Sequence, residues 1–171
     1  MRCIYCGTPL SAIDYCTGCG AVVTLQKRIV RISNLLYNEG LEKASVRDLS
    51  GAISCLKRSL KFNKENIDAR NLLGLVYYET GEVVSALSEW VISKNTVEEN
   101  NAADFYIAKL QSNKNKLETI NQTIKKYNQA LLYCKQDDED MAVIQLKKVL
   151  SQNPNLIKAY HLLALIYMKQ Q

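Results

Sequence analysis

Six cysteines occur in this 171-residue chain, and Cys3, Cys6, Cys16 and Cys19 crowd into the opening stretch CIYCGTPLSAIDYCTGC. Thiols at this density can hold a metal, cycle as a redox dithiol or pair as disulfides, and the redox compartment decides among these. Met1 and Arg2 lead directly into the motif without an apolar stretch of signal-peptide length. No run of about eighteen apolar residues occurs either, so the expectation is a cytoplasmic chain with no membrane span and reduced thiols.

In a reducing setting, two C-x2-C pairs separated by nine residues read as a tetrahedral zinc site with Cys3, Cys6, Cys16 and Cys19 as thiolate ligands. Two residues between cysteines make a tight turn that aims both sulfurs at one ion. Gly7 and Gly20 follow the second cysteine of each pair and Gly18 lies inside the second, where a positive φ costs little. Cys16-Thr17-Gly18-Cys19 also has the spacing of a redox dithiol, but no βαβ unit surrounds it and the upstream pair has no use in that mechanism. Four cysteine ligands leave no open position, which argues for one structural Zn2+ and against a hydrolytic one. The knuckles CIYCG and CTGCG resemble those of the zinc-ribbon family, over roughly the first 22 residues. Cys55 and Cys134 sit alone in helical patterns and read as small core residues.

The elements that carry this site are helical. Between Gly81 and Pro154 there is no glycine or proline, which favours long helices over sheets. Thr24 is a candidate N-cap, and Ile29, Ile32 and Leu36 recur at helical spacing, so the first helix is expected from near Leu25 with almost no tether to the cysteine segment. Laid on itself at an offset of 34, the sequence aligns Gly40 with Gly74, Asp48 with Glu82, Ala52 with Ala86, Leu56 with Trp90 and Ala130 with Ala164. That period describes a two-helix unit. RNLLGLVYYETGEVVSALSEW and AYHLLALIY are similar to the tetratricopeptide repeat (TPR), with Leu73, Gly74 and Tyr77 in its first helix, Gly81 at its turn and Ala86 and Trp90 in its second. Pro154 stands at the repeat-closing position, which Lys64 and Glu98 occupy in the first two units.

The resemblance implies an all-α, TPR-type helical-hairpin solenoid behind a small N-terminal four-cysteine zinc ribbon. The expected organisation is a ribbon over 1–22 and a solenoid over 23–171, with repeats at 33–66, 67–100 and 123–156 and a partial repeat at 157–171. Residues 101–122 fall outside the register. Leu110, Leu117, Ile120, Ile124, Tyr127, Leu131 and Cys134 run through them at helical spacing, as one long helix over about 102–136 or, because Asn113 interrupts the stripe, two helices broken near 112–115.

Function in the TPR family generally means holding an extended or helical peptide against the first helix of each repeat. Transferred by register, the partner-facing set is Tyr37, Leu41, Asn71, Leu75, Tyr78, Tyr127, Leu131, His161 and Leu165. The leucine column admits two readings, an apolar partner groove or repeat-on-repeat core. The family's lysine and asparagine set for carboxylate tails is missing, so a tail-binding cochaperone is not expected. His161, the single histidine, has no catalytic neighbours in sequence, and the acidic run from Asp137 to Asp140 suits a helix N-terminus better than a metal. Lys27, Arg28 and Arg31 follow the cysteines, but with four thiolates and one zinc contributing about −2, residues 1–32 carry only about +1. Nucleic acid is disfavoured as a partner on that ground.

The functional expectation is a non-enzymatic protein-interaction adaptor. The alternatives are the N-terminal regulatory or targeting region of a longer enzyme or regulator, and a nucleic-acid-associated zinc-ribbon protein. The final stretch LIKAYHLLALIYMKQQ supplies a repeat's first helix without the second, so Tyr160, Leu163 and Tyr167 are expected to mediate self-association or to be covered by a continuation of the chain.

Overall fold

The computed structural model describes residues 1–97 and 99–170. Glu98, read as a closing-proline replacement, and Gln171, the last residue of the partial repeat, lie outside the described residues. Among the described residues there are eight helices: α1 (Thr24–Ser45), α2 (Leu49–Phe62), α3 (Ile67–Glu79), α4 (Val83–Thr96), α5 (Ala102–Gln111), α6 (Lys114–Lys135), α7 (Glu139–Gln152) and α8 (Ile157–Lys169). Extended pairing among them is limited to the bridges Arg2–Pro9 and Tyr15–Val22, so the fold is all-α and built from helical hairpins. The chain forms two compact units, Met1–Ala69 and Arg70–Gln171.

In the first unit, Val23 is buried with Cys3 and Cys16, and Leu10 packs beside them. The Val23 N–H donates to the Asp14 carbonyl at 2.9 Å, its own carbonyl accepts from the Lys27 N–H at 3.0 Å, and α1 starts at the next residue. Val23, with no side-chain cap, therefore holds the N-cap position expected of Thr24. Burial of an apolar side chain fixes this helix start in place of a hydroxyl hydrogen bond. Gln26 Nε2 donates to the Arg2 carbonyl at 2.5 Å, and Lys27 Nζ to the Ile13 carbonyl, tying the first turn of α1 to both cysteine loops.

The hairpins share one plan. Gly40 faces Leu56 and Gly74 faces Trp90 so closely that a Cβ would lie 2.8 Å from Leu56 Cγ and 2.2 Å from Trp90 Nε1. Ala130 and Leu146 hold the same register positions in α6 and α7, both fully buried, as are Ala52, Ala86 and Ala142. Each turn places one residue in the left-handed region, Arg47 (φ 62°), Gly81 (φ 77°) and Asp137 (φ 57°). The next N–H then reaches back to close the preceding helix, Asp48 to Lys43 O (2.9 Å), Glu82 to Tyr77 O (2.8 Å) and Asp138 to Tyr133 O (3.0 Å). This is the six-to-one bond of a Schellman ending. Asp48 and Asp138 then cap the second helix through the N–H groups of Gly51 and Met141.

The stretch read as one helix over about 102–136, with a break near 112–115 as the alternative, forms two helices, α5 and α6, separated at Ser112 and Asn113. Asn113 accepts from the Lys116 N–H at 3.0 Å, and the Ser112 hydroxyl donates to Lys109 O at 3.0 Å. Polar side chains here satisfy the backbone groups a continuous helix would have paired internally. The insertion also begins in register: Ala103 is fully buried, like Ala69 and Ala159, 34 residues before and 56 after it. Accordingly α5 packs on α4 as α8 packs on α7. Within the second unit the α3–α4 turn meets the far hairpin, where Asn153 Nδ2 donates to Gly81 O at 3.2 Å and Lys158 pairs with Glu82 at 2.5 Å.

Candidate metal centre and partner-facing residues

The two cysteine loops have the same internal bonding. Gly7 and Gly20 donate their N–H groups to Cys3 O (2.9 Å) and Cys16 O (2.8 Å), and Cys3 and Cys16 donate theirs to Thr8 O (2.9 Å) and Ala21 O (2.8 Å). Both glycines sit at positive φ, 74° and 72°, which lets the chain turn back after the second cysteine. At Gly18 the requirement is space, since a Cβ there would lie 2.3 Å from Thr8 Oγ1.

This folding brings the four sulfurs within 4.8 Å of one another, Cys3 and Cys16 buried and Cys6 and Cys19 exposed. Cys6 Sγ is 3.5 Å from Cys16 Sγ, and Cys3 Sγ is 3.8 Å from Cys19 Sγ. A tetrahedral ion bound at about 2.3 Å to each sulfur has S···S edges of about 3.8 Å, so the donor set fits a closed four-thiolate metal site. The Thr8 hydroxyl, 3.2 Å from Cys6 Sγ, and the Thr8 backbone bring the Cys6 thiol down to about 6. At Cys19 the Ala21 backbone favours the thiolate, but Cys6, burial and the other two cysteines outweigh it and push the thiol up to about 12. Cys6 ionises readily and Cys19 resists, as adjacent sulfurs that cannot both carry charge must divide. The remaining thiols, Cys55 and Cys134, are both raised, in each case chiefly by burial, which makes them poor nucleophiles.

The residues expected to face a partner fall into three environments. Leu41, Leu131, His161 and Leu165 are exposed, and Tyr37, Leu75, Tyr78 and Tyr127 are half-buried. Asn71 is buried: its Nδ2 donates to Asn101 Oδ1 at 3.0 Å and its carbonyl accepts from the Trp90 indole N–H at 3.2 Å. Tyr78 lies 6.2 Å from Trp90, with Lys116 over its ring at 4.9 Å. Tyr127 lines a cavity of about 170 Å³ together with Glu82, Val83, Ile120, Ile124 and Leu156. On α8, Tyr160 and Tyr167 are exposed, while Leu163 is half-buried against the α6–α7 core.

Two buried polar clusters escape the apolar-periodicity reading. Ser33 Oγ and Ser59 Oγ are 2.9 Å apart, and Asn66 Nδ2 donates to Ser33 Oγ at 2.9 Å while Asn66 Oδ1 caps α3 through the Ala69 N–H at 3.1 Å. Ser93, Asn101 and Asn71 repeat the device, with Asn101 capping α5 through the Ala103 N–H at 3.0 Å. The signal was present in the 34-residue recurrence of Ser59 at Ser93 and, one residue out of register, of Asn66 at Asn101.

The class these features define is an all-α helical-hairpin protein with a four-cysteine cluster able to hold a metal ion. No family model matches the sequence. Among curated proteins, the chain is similar to the BBSome complex member bbs-4 of Caenorhabditis elegans, with 36% identity over 61 residues. The match covers 36% of this chain and 13% of that relative, so the chain spans only a small part of the relative's length. No described helix is long and apolar enough to cross a membrane.

Proposed function

We propose that this chain is a cytoplasmic protein-interaction scaffold, a TPR-type solenoid over 23–171 joined to a zinc ribbon over 1–22, which binds a protein or peptide and carries out no catalysis. The observation that carries the reading is a leucine at one register position of the first helices, exposed at 44% for Leu41 in the first unit and at 36% for Leu131 and 62% for Leu165 in the second, and half-buried for Leu75. Apolar side chains repeated on one face of a repeat protein suit an extended ligand. The relative's membership of a complex supports a role in assembly. Tyr37, Tyr78, Tyr127 and His161 complete the proposed partner-facing set by register, with Asn71 buried. The four cysteines hold one structural Zn2+, which supplies the cross-link that a segment with so small a core needs.

The test is capture of partners from native lysate by the wild-type chain and by the Leu131→Glu, Leu165→Glu double variant, with identification of the bound proteins. The variant should keep its helical circular dichroism and lose the partner. Undiminished capture would overturn the leucine column as the binding surface. Capture that instead falls steeply with salt and is abolished by nuclease would favour nucleic acid.

A further inference from the structure

The two cysteine loops correspond position by position, and two of those positions break the match. Cys3, Cys6, Gly7 and Thr8 stand where the second loop has Cys16, Cys19, Gly20 and Ala21, with the same backbone hydrogen bonds in each loop. Thr8 therefore carries a hydroxyl where its counterpart has only a methyl group. That hydroxyl lies 3.2 Å from Cys6 Sγ, and the Thr8 backbone bonds to the same sulfur. Among the described residues outside the cluster, Cys19 has only the backbone bond of Ala21. The second mismatch makes room for the first: Gly18 stands where the first loop has Tyr5, and a Cβ on it would lie 2.3 Å from Thr8 Oγ1 and 3.0 Å from Thr8 Cβ. The Thr8 side chain is thus seated on the backbone of the second loop, where the Gly18 N–H donates to Cys16 Sγ at 3.4 Å.

We propose that Thr8 is a positioning residue of the four-thiolate centre, its hydroxyl donating to the metal-bound Cys6 sulfur, and that Cys19, exposed and without such a donor, is the ligand at which the centre opens to a soft electrophile. The inference rests on the zinc reading and names the residues that set how tightly the centre is closed. Four thiolates around one Zn2+ carry a net charge of about −2, and each donor that reaches a sulfur disperses part of it. A metal-bound thiolate can only accept, so the Thr8 hydroxyl turns its proton toward Cys6. Cys3 and Cys16 are buried and Cys6 is hydrogen-bonded, so undispersed charge and access coincide at Cys19. With an alkylating agent such as iodoacetamide, the Cys19 sulfur forms the new S–C bond, iodide leaves with the electron pair of the C–I bond, and the zinc loses one ligand.

The test uses the full chain loaded with zinc, its metal content measured first. It is treated with substoichiometric iodoacetamide, the modified cysteines are mapped by mass spectrometry, and zinc release is followed with a chromogenic chelator. Cys19 should be modified before Cys6. Thr8→Val keeps the shape of the side chain and removes the hydroxyl, so it should bring Cys6 to the rate of Cys19 and speed zinc release about tenfold. Thr8→Ser keeps the hydroxyl and should behave as the wild type. In the cobalt-substituted chain, Thr8→Val should move the sulfur-to-cobalt charge-transfer band to longer wavelength, because a sulfur without its donor gives up an electron more easily; loop packing alone would not produce that shift. Earlier modification of Cys6 in the wild type overturns the inference while leaving the zinc reading intact. So does a Thr8→Val chain that matches the wild type, or a Thr8→Ser chain as impaired as Thr8→Val. A chain that holds no zinc overturns both.

Discussion

Gly74→Ala is the sharpest probe of how the hairpins are packed. A glycine-to-alanine change within a helix normally stabilises by about 0.5–1 kcal/mol, because the unfolded chain loses freedom and the helix gains a better former. At position 74 the new Cβ would lie 2.2 Å from Trp90 Nε1, 2.6 Å from Cδ1 and 2.8 Å from Cε2. The indole has nowhere to retreat: its N–H bonds to Asn71 O at 3.2 Å and its ring stacks on Tyr106 at a centroid distance of 5.1 Å. Overpacking of this kind costs about 1–3 kcal/mol, and with rigid aromatic atoms at these distances the upper part of the range applies, for a net loss of about 1–2 kcal/mol. Gly40→Ala provides the contrast. Its Cβ would meet Leu56 Cγ at 2.8 Å and Cδ2 at 3.0 Å, a side chain able to turn away, and Ala130 beside Leu146 already accommodates that pairing. Gly40→Ala should therefore be neutral or stabilising by up to about 0.5 kcal/mol. Urea unfolding followed by circular dichroism and by the fluorescence of the single tryptophan measures both. In a Trp90→Leu background, Gly74→Ala should change sign and stabilise. Equal effects at the two glycines, or an undiminished penalty once Trp90 is leucine, would refute the steric account.

Metal analysis after gel filtration should give one zinc per chain, and Cys16→Ser should abolish it while most of the helical circular dichroism survives, since the helices lie outside the cysteine loops. Asn66→Ala should cost about 2 kcal/mol in urea unfolding, because it removes the cap on Ala69 and strands two buried serines. NMR relaxation should give residues 1–20 and α1 a common tumbling time, as Val23 belongs to both the cysteine-loop core and the start of the helix. Arg47→Gly should stabilise by about 1 kcal/mol by relieving a left-handed residue at φ 62°, while Gly81→Ala should destabilise, since its Cβ would also press on the Leu156 backbone N at 2.9 Å.

The hairpins were legible because they rest on steric complementarity that leaves a fixed mark: a glycine or alanine must stand where two helices approach, so Gly40, Gly74 and Ala130 recur in register with Ala52, Ala86 and Ala142. The four sulfurs were legible for a similar reason, since C-x2-C spacing followed by glycine has few other uses. The helix start was misplaced by one residue because a threonine invites capping, whereas Val23 is fixed by burial against Cys3 and Cys16, a contact no local rule contains. At the insertion, apolar spacing runs through Ser112 and Asn113 because α5 and α6 each keep helical periodicity, and only the polar side chains mark the break. The register of α5 was missed because the match rests on two alanines, Ala103 and Ala108, while Gln111 replaces Tyr77 and no second-helix pattern follows before α6.

The buried polar clusters give the three junctions different characters. Where α2 leads into α3, Ser33, Ser59 and Asn66 satisfy one another and the asparagine also fixes the first turn of the next helix. Where α4 leads into α5, Ser93 and Asn101 do the same. After α7 the equivalent positions hold Val149 and Leu156, which are buried with no hydrogen-bonding side chain between them. A buried hydrogen-bonded cluster is stable in only one arrangement, because any shift leaves a desolvated polar atom unpaired, while an apolar contact tolerates sliding at little cost. Within the second unit, the α4–α5 junction therefore fixes the first turn of α5 against α4. The third holds α8 through the buried side chains of Ala159 and Ile166 together with the ion pairs of Lys158 with Glu82 and of Lys169 with Asp137 and Glu139, pairs that lie on the surface side of an apolar contact rather than in a buried hydrogen-bonded cluster.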